Sequence, residues 1–387
     1  MDRTKKDNEK APRRALLHRD VSDGGTGVED EDSSGPEILQ PFNPAKIRVE
    51  PKPIIIDALI RRIRHGEIDM APEFQRKAGI WKNDAQSRLI ESLLIRIPLP
   101  AFYFDATNED KWLVVDGLQR LTTLKRFVID QTLPLSGLEF LTDLEGHKYA
   151  DIPRNYQRRI DESMITVYLI EKGTPPEVKF NIFKRINTGG LPLSSQEIRH
   201  ALNPGPAQDF LRVLSESEEF QSAVGQSISD TRMADREFCL RFLAFALMPP
   251  DRYTTRDDLD TFLNSTMTQL NSLSKSDHAK LHARFKRSMS AAERIFGKYA
   301  FRKQFESDSY RYPVNKALFE AWSVNLDSLS DVQLEKAVRN PKKLNSDFIK
   351  LMNDDDQFIA SITQGTGDPK KVRYRFNKIR TVLDSAV

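Results

Sequence analysis

The string VVDGLQRLTTLKRF holds the residues best suited to chemistry. An apolar strand runs out at Val115, Asp116 and Gly117 permit a tight turn, and a helix starts directly afterwards. Such a helix start presents N–H groups and a positive dipole end to an anion, phosphate above all. Arg120 in the first helical turn can make paired contacts to phosphate oxygens, Gln119 adds an amide donor, and Thr122 and Thr123 offer hydroxyls. The same string also reads as a plain structural turn in which Asp116 caps the helix, and the residue types alone leave both readings open.

A second feature lies at the carboxyl end, in DPKKVRYRFNKIRTVLD, where Lys370, Lys371, Arg373, Arg375, Lys378 and Arg380 face only two acids. Helical spacing sets Lys371, Arg375 and Lys378 along one face, with Tyr374 and Phe376 interleaved. That pattern suits the backbone and bases of DNA, a solvated helix face being the plainer alternative. Other chemistry is thin. No Walker loop occurs, and the glycines of GGTGVED lie in a polar amino-terminal stretch. His278 and His282 have the spacing of a metal pair but no H-E-x-x-H around them, so no metal site is expected. Glu177 and Lys179 satisfy part of a nuclease pattern, yet PPEV reads as a helix start. The single Cys239, in an apolar run, excludes disulfides and thiolate clusters within the chain and should be a buried small hydrophobe.

These residues need elements to hold them. The segment IIIDALIRRIRHGEI places Ile56, Leu59, Ile60 and Ile63 on one helical face. Asn83 or Asp84 can cap a second helix that turns Ile90, Leu93, Leu94 and Ile97 to a core before Pro98. AFYFDA and WLVVD flank TNEDK as a hairpin, and Met164 to Glu171 reads as a further strand. PPEVKFNIFKRIN is a helix, and Ser194 with Glu197 forms a capping box opening SQEIRHAL. Beyond about Asn203 the segments carry helical periodicity. The fold class expected is α+β: an α/β domain over residues 44–202, then a mostly α-helical domain over 203–387. Residues 1–43, basic as far as Arg19 and acidic from Asp23 to Glu37, hold too little apolar surface to order themselves and should be a disordered arm.

With 387 residues, 39% of them hydrophobic, the chain can build a sizeable core. Its 59 Lys and Arg against 56 Asp and Glu leave +3, so net charge identifies no nucleic-acid binder and any basic surface must be local. No stretch approaches the roughly 18 apolar residues of a membrane span, and MDRTKKDNEKAPRR lacks the core of a signal peptide. A cytoplasmic protein without membrane contact is expected.

Three ordered strings, PEFQRKAGIWKNDAQSRLIESLLIRIPLPAFYF, VVDGLQRLTTLKRF and FKRINTGGLPLSSQEIRHAL, resemble the amino-terminal domain of GmrSD-type type IV restriction endonucleases over roughly Ile47 to Leu202. The resemblance implies a ParB/sulfiredoxin-like α/β fold whose DGQQR box binds, and in some members hydrolyses, a nucleoside triphosphate in bacterial anti-phage defence. Asp116, Gly117, Gln119 and Arg120 match that box, with Leu118 where the family has Gln. Phe74, Gln75, Arg76 and Trp81 match its QR-and-Trp segment, and Arg185, Asn187 and Thr188 its INTGG segment. On this reading Gln75, Arg76, Gly117, Gln119, Arg120, Thr122, Arg185 and Asn187 bind the nucleotide with Mg²⁺, and Asp116 and Arg120 serve hydrolysis. Arg76 and Arg185 would neutralise the triphosphate, and the NTGG glycines allow close backbone approach. Trp81 is equally read as core packing, and Arg185 as a surface salt bridge.

Many relatives carry a His-Asn-His nuclease domain, which SDHAKLHARF does not resemble. The expectation is therefore a nucleoside-triphosphate-binding protein, slow NTPase or switch, that couples nucleotide state to DNA or to a separate nuclease or effector. The alternatives are a ParB-like DNA-binding adaptor without turnover, and a nuclease with an unrecognised site.

Overall fold

Alternation of apolar residues in the first half of the chain builds a sheet, and its order is β1-β5-β3-β4-β2 among the described residues. The computed structural model describes residues 27–29, 47–70, 81–186, 193–228, 230–254, 258–306 and 310–387. The strands are β1 (Val49–Ile55), β2 (Ile68–Asp69), β3 (Phe102–Asp105), β4 (Trp112–Asp116) and β5 (Met164–Ile170). β3 and β4 are the expected hairpin, antiparallel with a bulge at Tyr103 and Phe104. β5 runs parallel to β3, and β1 antiparallel to β5. The sequence reading lacked β1, because VEPKPII carries two prolines. Its place at the sheet edge accommodates them, since an edge strand has one side with no ladder to donate to.

Period-2 alternation sends Trp112 and Val114 to one face of the sheet and Val115 to the other. On the first face pack α1 (Ile56–Arg64), α2 (Asn83–Leu94), α3 (Leu118–Leu124, continued by a π-helical turn Lys125–Ile129) and α4 (Arg154–Glu162). α1 buries Ile56, Leu59, Ile60 and Ile63 as its spacing predicts. α2 differs at both ends: no side chain caps it, and Ile97 is half-exposed because the helix stops at Leu94 and Arg96 takes a left-handed φ. On the second face lie α5 (Pro176–Ile186) and α6 (Ser195–Leu202), with Phe180, Phe183 and Ile198 against Val115 and Ile170.

Phe42–Leu202 form one unit, and Asn203–Val387 with the amino-terminal residues form the other. The second is helical: α7 (Pro206–Ser215), α8 (Glu218–Val224), α9 (Ala234–Leu247), α10 (Leu259–Ser272), α11 (Lys275–Phe296), α12 (Lys316–Asp327), α13 (Asp331–Arg339), α14 (Pro341–Asp354), α15 (Asp356–Thr363) and α16 (Pro369–Asp384). α12 is its hub. Every residue from Ala317 to Leu326 is buried, and α9, α11, α15 and α16 pack around it. The chain thus has the α+β class expected, an α/β part followed by helices. Within the expected disordered arm, Val28 and Glu29 are buried against the helical unit, which corrects that expectation for these residues. No helix among the described residues is long and apolar enough to cross a membrane.

Candidate functional site

β4 delivers Asp116, and Gly117 turns the chain into α3 with a left-handed φ of 103°. A Cβ on Gly117 would stand 2.6 Å from Cδ1 of Phe102 and 3.3 Å from Nη2 of Arg120, so glycine is required by space as well as by backbone angle. Asp116 does not cap the helix. Among the described residues no side chain is seen capping it, and the first-turn N–H groups of Leu118 and Arg120 lie before the first intrahelical bond.

Arg120 occupies a different place from the one its sequence position suggests. Its Nη2 donates to Asp116 Oδ2 at 2.8 Å and to the carbonyl of Ala101 at 3.2 Å, and its Nη1 donates to the carbonyl of Pro100. The guanidinium lies 4.5 Å over the Phe102 ring and is only 8% exposed. Burial pulls its pKa below the ordinary value, with Asp116 opposing that shift. Where paired contacts to phosphate oxygens are expected of Arg120, its fork is engaged instead in a clasp. Arg120 ties the turn to the segment entering β3 by donating to the carbonyls of Pro100 and Ala101, which lie just before that strand. Tyr103, opposite Asp116 in the ladder, stacks on Tyr168 with centroids 4.8 Å apart. Burial, then Tyr168 and Asp116, push its phenol pKa up.

Gln119 joins two of the three motifs. Its side-chain oxygen accepts the backbone N–H of Trp81 at 3.1 Å. The Trp81 carbonyl accepts from Gln86 Nε2 at 2.7 Å, and Arg126 donates to Gln86 Oε1 at 2.8 Å. The Trp81 ring is half-exposed rather than core. Thr123 bonds back to the Gln119 carbonyl at 2.8 Å, and Thr122, half-buried, shares the helix side of Gln119. Phe74, Gln75 and Arg76 lie outside the described residues, as do Asn187 and Thr188.

The third motif arrives on α5. Lys179 is held by Asp105 Oδ2 at 3.0 Å and Thr107 Oγ1 at 2.8 Å, in a nearly buried pair at the end of β3. That use absorbs the lysine of the nuclease-like spacing, while Glu177 is exposed. Further along α5, Phe183 packs with Val115, the residue before Asp116, and Arg185 in the last turn is exposed. The capping box of α6 forms as expected: Ser194 N–H donates to Glu197 at 2.6 Å, and Glu197 N–H to Ser194 Oγ at 3.1 Å. Sequence reasoning missed that α6 also buries Gln196, Arg199 and His200. Gln196 Oε1 accepts from Arg199 Nη1 at 3.2 Å, and Arg199 lies 5.5 Å over Phe180. The signal was present: a polar run, QE and RH around one isoleucine, on a helix directly after the glycines.

The carboxyl-terminal basic face is corrected. Lys371, Arg375 and Lys378 share one side of α16, but its centre, Arg375, is turned inward while Lys371 and Lys378 stay half-exposed and are held by partners of the helical unit. Arg375 is fully buried, paired with Glu320 and donating to the carbonyls of Thr366 at 2.8 Å and Ser361 at 3.2 Å. Lys378 pairs with Asp355 at 2.8 Å, and Lys371 donates to the Gln364 carbonyl. Arg373 donates to the Tyr253 carbonyl, Arg380 pairs with Asp384, and Lys370 is exposed. His278 stacks on Phe210, and no group of three or more His, Cys, Asp or Glu among the described residues is arranged for a metal. Cys239 is buried, its thiol pKa raised by desolvation.

No curated protein and no solved structure matches the chain. Its first unit brings a strand, a left-handed glycine turn and a helix start against the Trp81 backbone. The stretch that does so, residues 56–203, matches the family model of the GmrSD restriction endonuclease N-terminal domain.

Proposed function

We propose that this domain is the nucleoside-triphosphate-binding module of a bacterial restriction-type, anti-phage system, and that it signals nucleotide state to DNA or to a separate effector protein. The observation that supports this most is the bond from Trp81 N–H to Gln119, which ties the backbone at Trp81 to the helix that follows the Asp116–Gly117 turn. A phosphate seated at that turn meets the first-turn N–H groups of α3, and the exposed Arg185 is a further positive charge for it. Arg120 acts here as the clasp that fixes the turn. Asp116 offers one carboxylate, and a Mg²⁺ held by one carboxylate takes its other ligands from phosphates and water, so the donor set fits a metal that arrives with the nucleotide. Such an ion would neutralise phosphate charge, and hydrolysis would then be positioning and charge stabilisation.

A melting screen with ATP, GTP, CTP and UTP in Mg²⁺ tests the reading. A bound nucleotide at about 100 times its dissociation constant adds about 2.7 kcal/mol of stability. Arg185→Ala should weaken binding by about tenfold or more while leaving the unliganded melt within about 0.5 kcal/mol. If none of the four nucleotides moves the melt, the proposal fails. Phosphate release by the same protein separates a hydrolase from a binding switch. The adaptor alternative is less favoured, since Arg375, at the centre of its basic face on α16, is paired with Glu320 within the helical unit.

A further inference from the structure

Three consecutive residues of the amino-terminal arm, Gly27, Val28 and Glu29, are seated in the helical unit, and each is held in a different way. Val28 pairs in parallel with Val314: the Val314 N–H donates to the Gly27 carbonyl at 3.1 Å, and the Glu29 N–H donates to the Val314 carbonyl at 2.9 Å. The other side of Val314 bridges Arg302 in antiparallel fashion, so the arm adds an edge to an existing bridge. The Val28 side chain is 4% exposed and belongs to the main apolar cluster of the unit. Glu29 pairs with Lys303 at 2.7 Å, and the lysine is wholly buried. Gly27 has a φ of 71°, and a Cβ on it would stand 1.8 Å from the Ser227 carbonyl oxygen, a backbone atom that cannot step aside.

The walls of this seat are themselves fixed. Arg302, buried, donates to the carbonyls of Tyr312 at 2.6 Å and Val224 at 2.9 Å and to Ser227 Oγ at 2.8 Å. Arg311 donates to the same hydroxyl at 3.0 Å. The seat therefore selects at three successive positions. It takes glycine because of the Ser227 backbone, a small aliphatic because of the core, and a carboxylate because the third residue pairs with the buried Lys303 ammonium.

We propose that the helical unit carries a peptide-binding cleft for an extended glycine–aliphatic–acid sequence, filled by the chain's own residues 27–29 as a resident ligand. Recognition is by strand addition: main-chain bonds to Val314 supply affinity, and the flanking pockets supply specificity. Because the arm is tethered, its effective concentration is of the order of millimolar, and a free peptide of the same sequence competes poorly until the arm is displaced.

The test uses the full chain and a fluorescent peptide of residues 22–34. The double variant Gly27→Val/Glu29→Lys cannot seat its own arm. It should bind the peptide saturably by anisotropy, while the unaltered chain binds it at least tenfold more weakly. Peptides carrying Gly27→Val or Glu29→Gln should each bind the double variant at least tenfold more weakly than the unaltered peptide. A folded double variant that takes up no peptide, or takes all three peptides equally, overturns the proposal. If the double variant does not fold, Glu29→Gln in the full chain replaces it, with hydrogen exchange at the Val314 amide as the readout. Faster exchange at Val314 with unchanged exchange in α12 supports the cleft, and unchanged exchange at Val314 overturns it.

Discussion

Arg120 is the residue whose meaning changes most between sequence and structure. As a first-turn arginine beside a glycine turn it reads as a phosphate ligand. Folded, its fork is divided among the carbonyls of Pro100 and Ala101 and the carboxylate of Asp116. Arg120→Ala would leave two backbone acceptors without their donor and should destabilise the domain by about 2–3 kcal/mol, since an unsatisfied buried polar group carries most of its desolvation penalty. For a unit of this size that is a fall of several degrees in Tm, measurable by calorimetry. An unchanged melt would return Arg120 to the role of a free ligand. Gly117 and Arg120 were both legible as important from the motif. What the motif could not disclose is which of the two faces a ligand, because burial depends on Phe102 and on the Pro100–Ala101 carbonyls, roughly twenty residues earlier in the chain.

At the scale of elements, the polar link between α2 and the loop after α3 carries a pH dependence. Glu91, on the buried face of α2, accepts the backbone N–H groups of Glu139 at 3.0 Å, Phe140 at 2.7 Å and Leu141 at 2.8 Å. Burial alone would raise its pKa, but the three N–H donors outweigh burial and hold the carboxyl below the usual 4.5. A depressed folded pKa means the ionised form binds the fold better. The stabilisation is therefore complete above about pH 4.5 and is lost as pH falls through the folded value. Glu91→Gln should cost about 1–3 kcal/mol at neutral pH and flatten the acid limb of a Tm-against-pH curve. An acid limb identical to that of the unaltered chain would show that Glu91 does not supply it. The apolar spacing of α2 was readable in the sequence. Glu91 was not, because a lone acid among leucines looks like a surface residue until the loop folds over it.

On the scale of the whole molecule, the helical unit is organised around a carboxylate. Glu320, fully buried on α12, is paired with Arg375 of α16 and with Arg241 of α9 at 3.3 Å, and Arg241 in turn pairs with Glu237 at 2.9 Å. Removing one member of such a network strands charges in the core, so Glu320→Ala should destabilise the unit by about 3–5 kcal/mol. Arg375→Ala should cost a comparable amount, and the two together should cost less than their sum, which a double-mutant cycle by urea denaturation measures. Additive losses would mean the pair is not coupled. The same network means that reversing Lys371, Arg375 and Lys378 together would test folding and not contact with DNA.

The sequence by itself determined the class of each half, the amphipathic faces, the β3–β4 hairpin, the strand–glycine–helix turn and the capping box of α6. These follow from local periodicity and from residue types that tolerate few alternatives, such as glycine at positive φ. The proline-bearing β1 escaped, because only its position at the sheet edge makes those prolines acceptable. Tertiary structure alone decided where the charged groups point. The inward turn of Arg375, the clasp of Arg120 and the seat of Glu29 each depend on a partner that lies far away in the sequence and close in space. Helical spacing states which residues share a face, and only the packing of the other elements states whether that face meets water or a buried counter-charge.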